Sequence, residues 1–226
     1  YFLKIKASPG NIDRFLVRRS ILRVLLENKS LLQGLILDVG CGQKPYREIL
    51  LEPAGCATRY IGLDLEGRDQ PDIVWEEGRI PLDDEAVDSV LCTEVLEHVP
   101  EPVPVLQEVH RVLKPGGRIL FTTPFLWPLH EVPNDEYRYT PFALERIFRE
   151  CGFTEVKIHA LGGWNASMAQ MLGLWARRAP MNRYFKRLVL VAVYPFFRLL
   201  VALDRPEKVD FSKSPMITGL WGVVQK

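Results

Sequence analysis

The run Leu35-Ile36-Leu37-Asp38-Val39-Gly40-Cys41-Gly42 decides the fold. Residues 35–39 are a short, mostly apolar stretch of strand length. Gly40 and Gly42 then let the backbone bend sharply and let a ligand come close. Downstream, residues 59–63 read as a second strand ending in Asp64. Further strands are expected at 72–75, 87–92, 119–122, 154–159 and 220–224. Upstream, residues 11–32 carry apolar side chains at helical spacing, with Asn11 as N-cap and Gly34 as the stop. Helices are also expected at 44–51, after the fourth strand, and at 104–113, the last ended by Pro115-Gly116-Gly117. A further helix should run from Thr140 (N-cap) and Pro141 to Gly152. Strands alternating with helices predict an α/β fold. The expected architecture is a Rossmann-like, seven-stranded, mostly parallel sheet with helices on both faces and a helical insertion before the last strand.

The chain has 226 residues and a mass of 25.9 kDa, with 47% hydrophobic and 25% charged residues. Those values exclude a disordered or collagen-like chain. One domain over 1–226 is expected: a helical segment at 1–33, a ligand-binding core at 34–160, a helical insertion at 161–215 and the last strand at 216–226. Lys and Arg number 29 against 28 Asp and Glu, so no basic excess points to nucleic acid, and none is expected as a partner. Cys41, Cys56, Cys92 and Cys151 form no CxxC pair and read as reduced thiols of a cytoplasmic protein. No signal peptide is read at the start. The apolar run 188–203, broken by Arg198, is too short to span a bilayer.

Ligands of open α/β sheets sit beyond the carboxyl ends of the strands. Asp64 follows Gly42 by 22 positions, where an acid can accept hydrogen bonds from ribose hydroxyls. Pro45 stands where a dinucleotide fold has its third glycine, and Asp38 would repel a pyrophosphate. A cationic nucleoside is favoured instead, which disfavours a nicotinamide-dependent oxidoreductase. The segment Ile61-Gly62-Leu63-Asp64 joins Asp38–Gly42 as a second motif. It is followed by residues 80–90 (IPLDDEAVDSV), by Glu94-Val95-Leu96-Glu97-His98-Val99, and by Leu113-Lys114-Pro115-Gly116-Gly117-Arg118. In this order, over about residues 35–153, they resemble the class I S-adenosylmethionine-dependent methyltransferases, type 11 group.

The resemblance implies S-adenosyl-L-methionine as cofactor. It implies that Asp38 and the backbone of Gly40, Cys41 and Gly42 hold the methionine end, and that Asp64 binds the ribose. Leu65 would flank the adenine, Glu76 would sit near its amine, and Thr93 and Glu94 would line the floor near the methyl group. Lys44 stands where the family often has a third glycine. Glu97 and His98 are read as structural, pinning the helix after strand four.

The loop 123–140 is long, polar and aromatic, as functional loops at a sheet edge often are. Its pattern His-x-x-Pro-x-Asp-x-x-Arg-Tyr-Thr resembles a subset of the type 11 group associated with bacterial glycan enzymes. A hydroxyl acceptor must lose a proton, and histidine is the usual base. His130 is the expected base, with Asp135 orienting it. Trp127, Arg138 and Tyr139 are placed on the substrate side, Arg138 for an anionic group. An Asp135–Arg138 ion pair that only shapes the loop is the alternative. No metal site is expected, since His130, Glu131 and Asp135 lack HExxH spacing.

The insertion at 164–203 is expected to lid the substrate pocket, with Met168, Met171, Leu172 and Trp175 facing a core. The basic residues before the run 188–203 leave burial, a homodimer interface and peripheral contact with an anionic membrane all open. The expected function is O-methylation of a small-molecule or glycan-linked acceptor. The alternatives are N- or C-methylation of a lipid or quinone-like acceptor, and a module that binds the cofactor without catalysis.

Overall fold

The computed structural model describes residues 5–52, 56–65, 70–75 and 78–226. Among the described residues, seven strands form one sheet: β1 (Gly34–Val39), β2 (Ala57–Asp64), β3 (Ile73–Val74), β4 (Val87–Thr93), β5 (Leu113–Pro124), β6 (Glu155–Ala160) and β7 (Gly219–Gln225). Their order is β3-β2-β1-β4-β5-β7-β6. The pairings β3–β2, β2–β1, β1–β4 and β4–β5 are parallel. The last strand, β7, runs antiparallel to both neighbours: Gly116 N–H meets Lys226 O while Phe125 N–H meets Thr218 O, and Thr154 N–H meets Gln225 O while Leu161 N–H meets Gly219 O. The helices are α1 (Phe15–Asn28), α2 (Arg47–Leu50), α3 (Pro102–Val112), α4 (Pro141–Glu150), α5 (Trp164–Arg178) and α6 (Arg183–Leu203).

Two compact units divide the chain. One holds the residues up to Val24 with Pro124–Pro128 and His159–Leu220; the other holds Leu25–Thr123, Leu129–Ile158 and Trp221–Lys226. In the second, Ile36, Leu37, Val90, Leu91, Phe121 and Phe148 are fully buried. Each apolar side chain so buried contributes about 1.5–3 kcal/mol. Strands covered on both faces read as continuous apolar runs, which is why β1 and β4 are legible in sequence. Chain order reverses between β1 and β4, so their carboxyl ends open a crevice there.

In the helical unit, Phe15 and Phe197 meet edge to face at 6.0 Å among Ile12, Leu16, Ala169 and Ala176. The expected core face of α5 is corrected here. Met168, Met171 and Trp175 are about half exposed, and Ala166, Ala169, Gln170, Gly173 and Ala176 face inward. Close packing demands the small residues: a Cβ on Gly173 would lie 2.5 Å from Ile12 O. Among the described residues, no helix is long and apolar enough to cross a membrane.

Three further expectations change. Asn11 does not cap α1; its Oδ1 accepts from Ser8 N–H, and the helix begins four residues later. The segment after β4 is a single 3-10 turn, Leu96–His98. Residues 113–118 open β5 rather than closing a helix. The Thr140 cap holds, accepting from Ala143 N–H at 3.2 Å.

Candidate active site

Three elements of the sheet unit converge at the β1–β4 crevice: the turn after β1, the end of β2 and the segment after β4. The turn is left-handed at Gly40 (φ +68°) and Gly42 (φ +47°). At Gly40 the requirement is double, because a Cβ there would lie 2.3 Å from Val95 Cγ2. At Gly42 the missing Cβ faces open space. Gly40 and Cys41 both donate N–H to Leu63 O, and Gly42 donates to Asp64 Oδ2 at 2.8 Å. All three amides are therefore engaged within the protein. The turn offers room, and carbonyl oxygens suit an ammonium group.

Asp38 is buried, and the Tyr60 hydroxyl donates to its Oδ2. Its Oδ1 is buried with no partner among the described residues. Burial pushes the Asp38 carboxyl up to about 7, against the pull of the Tyr60 hydrogen bond, with the Asp64 charge adding to the rise. A nearby cation would offset that burial. Asp64 also accepts from Leu65 N–H at 2.8 Å. Leu65 itself is half exposed, available to an aromatic face. The orphaned Asp38 oxygen, the open space at Gly42 and the carboxylate at the end of β2 fit S-adenosylmethionine. Glu76 lies outside the described residues.

Lys44 takes the left-handed conformation of the glycine it replaces (φ +52°). A non-glycine residue there costs about 1–2 kcal/mol, offset by a 2.7 Å ion pair with Asp72. Asp72 in turn accepts from Gly62 N–H. Gly62 lets the loop lie flat: a Cβ there would meet Cys41 Sγ at 2.7 Å and Lys44 Cε at 2.8 Å. Burial, with Asp38 and Asp64 nearby, pushes the Cys41 thiol up to about 12, so it stays neutral.

Past Thr93, Glu94 is left-handed (φ +55°) and accepts from Thr122 Oγ1 at 2.8 Å. Burial raises its carboxyl to about 7, against that hydrogen bond. Val95 packs on Gly40, and Glu97 and His98 then enter a second cluster with His130. His130 Nδ1 lies 3.2 Å from Asp135 Oδ2, which also accepts the His130 N–H. Arg138 clamps Asp135 with two hydrogen bonds of 2.7 and 2.8 Å and holds its carboxyl far below the usual range. Burial lowers the His130 pKa, with Asp135 opposing. The His98 and His130 rings pack edge to face at 4.7 Å.

The expected pair His130–Asp135 is thus brought together, whereas the substrate-side residues are reassigned. Arg138 is engaged by Asp135 rather than held open for an anion. Tyr139 is buried, donates its hydroxyl to Leu96 O at 3.1 Å and stacks on Tyr137. Trp127 belongs to the helical unit, where the Arg178 guanidinium sits 4.9 Å over its ring. Sequence reasoning missed Tyr60, and it read Glu97 and His98 as structural. Only the register Tyr60↔Ile36 across β2 and β1, two residues from Asp38, could have suggested the first.

A family model described as "Methyltransferase domain", of the type 11 methyltransferases, matches residues 37–121. The chain is 33% identical over 110 residues to a ubiquinone biosynthesis O-methyltransferase of Hydrogenovibrio crunogenus, covering 43% of this chain and 44% of that protein. It is 26% identical over 175 residues to a demethylmenaquinone methyltransferase of Staphylococcus saprophyticus, covering 58% of this chain and 75% of the other. A solved S-adenosylmethionine-dependent methyltransferase of Archaeoglobus fulgidus shares the fold, with TM-score 0.56 at 16% identity, over 98% of this chain and 96% of that one. The chain spans less than half of the first curated relatives it matches.

Proposed function

We propose, from the membership of residues 37–121 in the type 11 methyltransferase domain family, that this protein moves a methyl group from S-adenosylmethionine to a hydroxyl oxygen of a small-molecule or glycan-linked acceptor. One observation carries the reading. The segment after β4 touches the glycine turn through Val95 and, two and three residues on, contributes Glu97 and His98 to the His130–Asp135 cluster. A cofactor site and a proton-handling site are thereby joined by four residues of chain, Val95–His98.

S-adenosylmethionine supplies an electrophilic methyl group on a sulfonium. The protein's part is to position the acceptor and to take its proton. Asp135, held by Arg138, accepts from His130 Nδ1–H. That hydrogen bond selects the tautomer with its lone pair on Nε2. His130 Nε2 would take the proton that the acceptor hydroxyl gives up on receiving the methyl group. Asp38 counters the positive charge of the methionine end, and Asp64 accepts from the ribose hydroxyls.

A quinone-like acceptor is the second reading, supported by the names of the two relatives. Incubation with methyl-labelled cofactor and two acceptor panels, catechols and quinols in detergent or hydroxylated sugars, tests both. Label on an acceptor oxygen is expected. Label only on carbon or nitrogen would overturn the O-methyl assignment. Absence of label, from protein that binds S-adenosylhomocysteine, would favour a binding module.

A further inference from the structure

The side chains of Glu97, His98 and His130 each offer one ligand atom, and those atoms lie within 4.8 Å of one another. Thirty-two positions separate His98 from His130, so no sequence spacing could announce the group. Glu97 is 0% exposed, and neither carboxylate oxygen has a hydrogen-bond partner among the described residues. An unpartnered buried carboxylate is costly unless something positive meets it. His98 Nε2 lies 3.7 Å from its Oε1, beyond hydrogen-bond reach.

Both histidines are prepared in the way metal-ligating histidines are. His98 Nδ1 lies 2.8 Å from the Asn134 carbonyl oxygen, an acceptor only, so Nδ1 carries the proton. His130 Nδ1 faces the Asp135 carboxylate in the same way. Each ring therefore presents its lone pair at Nε2. Two imidazoles and one carboxylate are a donor set for a divalent transition metal, with positions left open for a small ligand. Around an ion about 2.1 Å from each donor, tetrahedral ligand atoms stand about 3.4 Å apart. Small side-chain rotations would close the present spacing to that value.

We propose that Glu97, His98 and His130 bind one divalent transition-metal ion, Zn²⁺ fitting the donors best, with Asn134 and Asp135 orienting the two imidazoles. The site stands on this geometry whether or not the methyl-transfer reading holds. If both hold, His130 serves the acceptor as a metal ligand rather than as a free base, and His98→Gln separates the two roles.

Chelator-stripped protein is titrated with Zn²⁺, Co²⁺ and Mg²⁺, reading bound metal by elemental analysis and the visible absorption of Co²⁺. One Zn²⁺ or Co²⁺ per chain is expected, with low-coordinate Co²⁺ absorption and no stoichiometric Mg²⁺. His98→Gln and Glu97→Gln should each abolish stoichiometric uptake, and Asp135→Asn should weaken it about 10–100-fold. S-adenosylhomocysteine affinity, measured on every variant, shows that the fold survives; His98→Gln, on a partly exposed ring, serves if the buried Glu97 variant does not. No ion bound by wild-type protein that binds S-adenosylhomocysteine, uptake unchanged in a folded His98→Gln, or uptake of Mg²⁺ alone would each overturn the proposal. Metal binding lost with turnover intact in His98→Gln would leave the metal site standing and return His130 to the role of free base.

Discussion

His130→Ala lowers methyl transfer about 10²–10⁴-fold, the usual contribution of a positioned acid–base group, and leaves S-adenosylhomocysteine affinity within about twofold of wild type. The split between the two effects follows from the structure. The cofactor turn makes its contacts to Leu63, Asp64 and Val95, none of which depends on the His130 ring. Asp135 keeps its clamp from Arg138 when the imidazole is gone, so the loop retains its main restraint. Single-turnover rates beside equilibrium cofactor binding check the result. Unaltered turnover would remove His130 from the chemistry; loss of cofactor affinity would mean that its role is structural.

Asp64→Ala weakens cofactor binding about 10²–10³-fold. A carboxylate hydrogen bond contributes about 1.5–3 kcal/mol, and two ribose hydroxyls can use this one. The variant also frees the Gly42 N–H from its 2.8 Å acceptor, loosening the turn that the ligand must enter. Asp64→Asn should recover part of the loss, because its amide oxygen can still accept from one donor. Calorimetry with S-adenosylhomocysteine reads both variants, and wild-type affinity in Asp64→Ala would remove Asp64 from the ribose site.

The strands that place this chemistry were legible because β1 and β4 are buried on both faces and carry the apolar runs such strands need. Asp38, Gly40, Gly42 and Asp64 were legible because strand ends in an α/β sheet mark the ligand edge. The insertion misled because α5 packs through alanines and glycine, so its large residues, elsewhere a mark of the core, point outward. Tyr139 and Arg138 misled because composition shows that a loop is polar without showing which polar groups satisfy one another. The Glu97–His98–His130 cluster was illegible for a topological reason. It forms only when the loop after β5 returns to the segment after β4, and residue spacing carries no trace of that return.

The most direct measurement is a calorimetric titration of the protein with S-adenosylhomocysteine across a range of pH. Burial raises the Asp38 carboxyl to about 7, so below that pH the unliganded site holds a proton that a cationic ligand must displace. One site per chain is predicted, with affinity falling about tenfold per pH unit below about 7 and level above it. Absence of heat at every pH, from protein that unfolds cooperatively, would contradict the account.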